Sequence, residues 1–274
     1  MELKVISGGM FKLDGGSMFG IVPKPLWEKI CLPDDRNRIN NDTNCLLIRK
    51  DSRLILVDTG YGDKLNPRDQ DIYGISGPTI LKSLAAVGIG ASEIDLVILT
   101  HLHFDHAGGA TQLDEEGRLV PTFPNAHYVV QKGEWEDALN EYGTMKNTYR
   151  SENYLPLMDR GLLTLLHGDT EIEPGIQVEV TGGHTRHHQL VKIETGTSQV
   201  VYAGDILPMT PHVRAPYNMA YDLFPYDTMM AKLRLLKQAS DEAWIIVWDH
   251  DPEVSSGRIY CEGSGNYQFE ALDI

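Results

Sequence analysis

The sequence predicts a chain of mixed strands and helices in which several strands end in metal-type side chains. Three observations carry this. Short apolar, β-branched runs are interspersed with stretches of helical spacing along the whole length. Four of those runs, residues 94–100, 176–181, 199–203 and 243–248, lead into histidine or aspartate, two of them after one or two glycines. The 274 residues, 42% of them apolar, suffice for a sizeable core in one large domain or two small ones.

Taken in order, residues 1–13 read as an opening strand and 13–20 as a glycine-rich turn or loop. Residues 22–27, Val-Pro-Lys-Pro-Leu-Trp, are too proline-rich for a regular element. Met18, Phe19 and Trp27 could line an apolar substrate pocket, or serve as ordinary core. Residues 44–49 and 53–57 form a hairpin pair around Lys50-Asp51-Ser52, and the second strand ends at Asp58-Thr59-Gly60. Asp58 there can hydrogen-bond a ligating imidazole, make an Asx-type turn, or do both. Ile80, Leu84 and Val87 mark a helix that Gly88 stops.

Next come the strand 94–100 and His101-Leu102-His103-Phe104-Asp105-His106-Ala107-Gly108-Gly109. Three histidines and an aspartate at the end of one rigid strand offer four donors that suit zinc and other first-row metals. His101 and His103, one residue apart, point the same way and can grip one ion. Asp105 and His106 lie past the strand end, where a turn can swing them toward a second. A polar loop that happens to be rich in histidine is the alternative. Residues 127–130 read as a strand and 134–142 as a helix, while His127 and His167 suit structural roles. The stretch 143–160 is the least regular and could be a helical cap. In the second half His184, Asp205 and His250 each stand just past a strand end, and Met229, Leu233 and Leu236 mark a helix after Asp227.

Composition narrows the function. With 24 basic and 39 acidic residues the formal net charge is −15, which speaks against nucleic acid as substrate. Cys31, Cys45 and Cys261 are odd in number and widely spaced, as reduced thiols in a cytoplasmic protein are. The N-terminal residues lack a secretion pattern, and no apolar run approaches the roughly 20 residues that span a bilayer. The expectation is a cytoplasmic protein with no membrane partner.

The spacing His-x-His-x-Asp-His with a distant His, Asp and His resembles the metallo-β-lactamase superfamily. The resemblance implies an α+β fold, a four-layer αβ/βα sandwich, with 1–274 as one hydrolase domain. It implies two divalent ions, zinc first, with Mn²⁺, Fe²⁺ or Co²⁺ also suited. His101, His103 and His184 would hold one ion and Asp105, His106 and His250 the other, with Asp205 bridging and a hydroxide completing the bridge. Asp105 would be catalytic, passing a proton to the leaving group.

Residues 13–27, 100–108, 123–126, 182–184, 205–208 and 220–222 further resemble quorum-quenching N-acyl-homoserine lactonases of the Bacillus type. That implies opening of a small-molecule lactone by the metal-bridging hydroxide, and by family habit a homodimer. Two departures stand out. Pro208 takes the place of a substrate-binding Tyr three residues after the bridging aspartate, so Tyr221 or His212 would substitute. The His-Thr-Pro-Gly-His turn becomes His184-Thr185-Arg186-His187-His188, whose last two histidines suit turn or supporting roles. Related organophosphate hydrolases keep a phosphotriesterase or aryl esterase reading open, and a non-catalytic metal-binding protein is a third.

Overall fold

In the computed structural model, which describes residues 1–140, 147–263 and 265–274, the chain divides into two units. One comprises Met1–Met10 and Thr43–Gly168, the other Phe11–Asp42 and Asp169–Ile274. The boundaries fall inside the two long strands β1 (Glu2–Asp14) and β2 (Arg38–Lys50).

The first unit is built on a six-stranded sheet in the order β1-β2-β3-β4-β7-β8. Its further strands are β3 (Arg53–Val57), β4 (Leu96–Ile98), β7 (His127–Gln131) and β8 (Leu163–Leu166). The hairpin β2–β3 pairs Lys50 with Arg53, as the turn at Asp51 predicts, and β3, β4, β7 and β8 run parallel. Parallel neighbours need long connections. These hold α3 (Pro67–Tyr73), α4 (Ile80–Ala86), α5 (Phe104–Ala107), the small hairpin β5 (Thr111–Leu113) and β6 (Leu119–Pro121), α6 (Lys132–Leu139) and α7 (Leu155–Asp159). Val57, Val97, Ile98 and Val130 are wholly buried, so the central strands read as continuous apolar runs. Part of the expected helix 134–142 and of the expected cap 143–160 lies outside the described residues. Beyond that gap the chain forms a single turn at Ser151–Asn153 and then α7.

The second unit carries a seven-stranded sheet in the order β15-β14-β13-β12-β11-β10-β9. Its strands are β9 (Thr170–Glu173), β10 (Ile176–Val180), β11 (Gln189–Glu194), β12 (Gln199–Tyr202), β13 (Ile245–Val247), β14 (Ser256–Cys261) and β15 (Tyr267–Ala271). All neighbours are antiparallel except β12 and β13, which α8 (Pro225–Asp241) connects. That helix lays Ala231, Leu235, Leu236 and Ala239 against Leu190, Val201, Ile246 and Trp248. Residues 15–27 correct two expectations, because they form α1 (Gly15–Phe19) and α2 (Lys24–Trp27) rather than irregular loop. The Asp14 carboxylate caps α1 by accepting from the Ser17 amide. In α2 Pro25 stands in the first turn, where its missing N–H costs no intrahelical bond.

Candidate metal centre

In the first unit, β4 ends three residues before His101, and His103 takes the N-cap position of α5 with extended backbone angles. Asp105 therefore falls in the first turn of that short helix and His106 in its last. All four expected donors are buried, and a donor atom of His101 lies within 4.8 Å of one of His103. The rings of His101 and His103 meet edge to face at 4.5 Å between centroids, and those of His101 and His106 at 4.1 Å.

Asp58, in left-handed backbone at the end of β3, holds this group. Its Oδ1 accepts from the Thr100 amide at 2.8 Å, and its Oδ2 accepts from the Thr100 hydroxyl and from His106 Nδ1, each at 2.8 Å. The Thr100 hydroxyl has one proton and gives it to Asp58. At its 3.0 Å contact with His101 Nδ1 the oxygen must accept, so His101 carries its proton on Nδ1. Both imidazoles thus leave Nε2 as the donor atom. Asp58 therefore holds the His106 imidazole, the first of its two expected roles, and its carboxylate bonds go to Thr100 and His106 rather than to the turn that follows β3.

The second unit shows the same design. His184 gives Nδ1–H to Asp222 Oδ1 at 3.0 Å, and His250 gives Nδ1–H to the Asp42 carbonyl at 2.8 Å. Their Nε2 atoms face Asp205, with His184 Nε2 2.8 Å from Oδ2 and His250 Nε2 3.0 Å from Oδ1. One carboxylate so presents one oxygen to each of two imidazoles. Burial opposes the charged form of His184, but Asp205 and Asp222 outweigh it and lift the ring to about 10. Asp249 joins Asp205 and His250 in a group whose donor atoms lie within 4.8 Å of one another. His188 is buried and accepts from the Asp205 amide at 3.1 Å, so it supports the aspartate, as a turn residue.

The donor chemistry fits divalent metal. Four imidazoles are held through Nδ1 by carboxylate, hydroxyl or carbonyl, the arrangement that fixes the tautomer of a metal-ligating histidine. Sequence reasoning missed Thr100, Asp222 and the Asp42 carbonyl as supports, and Asp249 as a further candidate donor. Asp249 alone carried a signal, as an acid beside His250 at a strand end. His127 and His167 are exposed and belong to neither group.

The expected substrate residues all lie in the second unit. Met18, Phe19 and Trp27 are 0%, 0% and 1% exposed, packed with Val22, Ile39, Met209, Tyr217 and Met219. Phe19 stacks between Trp27 at 5.5 Å and His212 at 5.2 Å. His212 donates from Nε2 to the Met18 carbonyl at 2.9 Å, and burial pushes its pKa down to about 3, so the ring is neutral. Tyr221 alone of the five is open, at 36% exposure. Pro208, in the position of the missing tyrosine, accepts the His250 amide on its carbonyl at 2.9 Å.

With this geometry in place, comparison with known proteins gives the class. The metallo-beta-lactamase superfamily profile matches residues 39–250. The chain belongs to that family and has its α+β fold. It is a hydrolase of the superfamily, with His/Asp groups suited to divalent metal. It is 31% identical over 235 residues, 80% of this chain and 85% of the relative, to an N-acyl homoserine lactonase of Bacillus thuringiensis. Among solved structures, a probable metal-dependent hydrolase from Staphylococcus aureus aligns over 100% of this chain and 98% of its own, with TM-score 0.89 and 30% identity. An N-acyl homoserine lactone hydrolase with the product N-hexanoyl-L-homoserine bound at its catalytic metal center aligns over 92% and 93%, with TM-score 0.70 and 27% identity. No helix among the described residues is long and apolar enough to cross a membrane.

Proposed function

We propose that this chain opens lactones, N-acyl-homoserine lactones before others, and that 1–274 act as one hydrolase domain. The observation that carries the reading is Asp205, whose two oxygens each face the Nε2 of a different, separately anchored histidine. A carboxylate so placed suits a bridge between two ions. In this reading His101, His103 and His184 would hold one ion and Asp105, His106 and His250 the other, with Asp205 as the carboxylate shared between them. Two divalent ions, zinc for preference, supply acidified water and a polarised carbonyl when bound.

The protein's own contribution is proton handling and placement. Asp105, in the first turn of α5, would take the proton that the attacking water gives up and pass it to the departing alkoxide. Thr100, Asp58, Asp222 and the Asp42 carbonyl keep the imidazoles turned with Nε2 forward. Tyr221, 36% exposed, carries a hydroxyl that could meet the substrate, while Met18, Phe19, Trp27 and His212 belong to a buried layer with Tyr217 and Met219. Cys31, Cys45 and Cys261 form no disulfide with one another, which supports a cytoplasmic location.

The test is turnover of acyl-homoserine lactones with short to long tails by zinc- or cobalt-loaded protein, alongside a phosphotriester and aryl-ester panel. Efficient lactone opening that His101→Ala abolishes supports the reading. Absence of lactone turnover with both metals verified in place sinks it. Pro208, which has no hydroxyl to offer, favours the phosphotriesterase or aryl esterase as second reading, and higher kcat/KM on that panel would establish it. Asp105→Asn is expected to retain metal and lose at least about tenfold in kcat. Unchanged turnover would remove Asp105 from its role.

A further inference from the structure

The segment from Arg214 to Pro225 is pinned from several sides within the second unit. Lys232, wholly buried on α8, donates from Nζ to the carbonyls of Arg214 at 3.2 Å and Tyr217 at 2.7 Å and to Asn218 Oδ1 at 2.6 Å. Asn218 Nδ2 donates to the Pro225 carbonyl at 3.0 Å, so the ends of the loop that carries Asp222 are stapled together. Leu223 N and Phe224 N donate to the carbonyls of His184 and Gly183, both at 2.9 Å. Gly183 has φ +88, and a Cβ there would lie 2.6 Å from Thr228, so α8 presses directly on this turn. A buried lysine with three acceptors and three further hydrogen bonds on the loop are far more anchoring than a surface connection requires.

What the anchoring delivers is the Asp222 carboxylate. Its side chain is wholly buried, and Oδ1 meets His184 Nδ1 at 3.0 Å. Oδ2 is buried with no hydrogen-bond partner among the described residues, so the carboxylate spends its one bond on His184. Asp222 reaches His184 from the segment just before α8, 38 residues away in sequence. We propose that Asp222 is a positioning residue that fixes His184 in the tautomer with Nε2 as its metal donor, and that Lys232 holds the loop that delivers it. This rests on the reading of His184 as a metal ligand.

The test needs Asp222→Leu, Asp222→Asn, Lys232→Met and His184→Ala, with zinc affinity measured by chelator competition and folding checked by circular dichroism. Asp222→Leu leaves Nδ1 without its acceptor and is expected to weaken one of two zinc equivalents 10- to 100-fold, roughly the range for such supporting groups. Asp222→Asn keeps an acceptor oxygen and is expected to weaken it less, and Lys232→Met is expected to follow Asp222→Asn. Cobalt-loaded protein should show an altered visible ligand-field spectrum in Asp222→Leu, which a purely structural carboxylate would not produce. Wild-type zinc affinity and spectrum in a folded Asp222→Leu overturn the proposal. If the variants do not fold, the ring nitrogens of ¹⁵N-histidine in the wild-type zinc form decide, the His184 pair being assigned by through-space contacts with Asp222 and Leu223. A proton on Nδ1 supports the proposal, and a proton on Nε2 overturns it. Should His184→Ala keep both zinc equivalents, the ligand reading itself fails. Should it lose one while Asp222→Leu keeps both, only the positioning role falls.

Discussion

Replacing Asp58 tests how the first unit sets its histidines. This carboxylate is 1% exposed and accepts three hydrogen bonds, each 2.8 Å long, from Thr100 N, Thr100 Oγ1 and His106 Nδ1. Hydrogen bonds to a charged acceptor contribute about 1.5–3 kcal/mol each, and a buried donor left without its acceptor costs about 1–3 kcal/mol. In Asp58→Ala the Thr100 hydroxyl can turn elsewhere, but the amide and the imidazole cannot both do so. Two stranded donors, together with φ +56 at a residue that is no longer Asp or Asn, put the loss at about 4–6 kcal/mol. That is between about a quarter and all of a domain's typical stability, about 5–15 kcal/mol.

Asp58→Asn separates stability from tautomer control. The amide oxygen can still accept from Thr100 N, and asparagine tolerates left-handed backbone, so the expected loss is only about 2 kcal/mol. Its NH₂ group now faces the Thr100 hydroxyl and His106 Nδ1 as a donor. His106 must move its proton to Nε2, and Thr100, freed of its acceptor, can donate to His101 Nδ1 and reverse that ring too. Both rings would then turn a proton toward the metal, and affinity should fall by about 10- to 100-fold. The assay is urea unfolding in excess chelator, which removes metal linkage, together with zinc competition on the folded protein. Wild-type zinc affinity in Asp58→Asn, or chelated Asp58→Ala within about 1 kcal/mol of wild type, would refute the reasoning.

Three further perturbations follow from the packing. Phe19→Ala removes a wholly buried ring stacked between Trp27 and His212 and should cost about 3–5 kcal/mol, read as a lowered urea midpoint with unchanged m. Gly109→Ala places a Cβ 2.1 Å from the Thr59 carbonyl oxygen, so it should cost about 1–3 kcal/mol or more and a wild-type midpoint would contradict it. Burial pushes Lys232 down to about 7, against the attraction of Asp222, so between about 7 and the ordinary 10.5 the unfolded chain binds more protons than the folded one. Wild-type stability should therefore gain up to about 1.4 kcal/mol per pH unit over that window relative to Lys232→Met, and parallel pH profiles would argue otherwise.

Much of this was legible from residue order because the donors stand at strand ends, where an apolar run with its following His or Asp is a local pattern. The hairpin β2–β3, the helix α4 and the long α8 were equally local, set by turn residues and helical spacing. Residues 15–27 were misread because glycine and proline signal breaks, and short helices that begin at a capping aspartate or a first-turn proline use the same residues. The supports of the histidines were harder. Asp222 lies 38 residues from His184, and Asp42 holds His250 through a backbone carbonyl that no side-chain pattern reveals. Burial of Met18, Phe19 and Trp27 depended on Met209, Tyr217 and Met219, nearly two hundred residues away in sequence.

Each unit orients its own histidines, so a cation meets imidazoles whose remaining task is to give up protons. In the second unit that task is concrete. Without metal, His184 is held by carboxylates on both nitrogens and stays protonated up to about 10 despite its burial. Nδ1–H is committed to Asp222, so in the proposed ligand role the proton that a metal would displace is the one on Nε2, facing Asp205. A ligand that must be deprotonated binds metal in competition with that proton, so each displaced proton lowers apparent affinity about tenfold per pH unit below its pKa. Zinc loading of the chelated protein at pH 8 in weak buffer should therefore release at least one proton per chain, read with an indicator dye. His184→Gln should release at least one fewer. Loading of both zinc equivalents with no proton released would mean that His184 is neutral before metal arrives, and that Asp205 and Asp222 do not hold it charged.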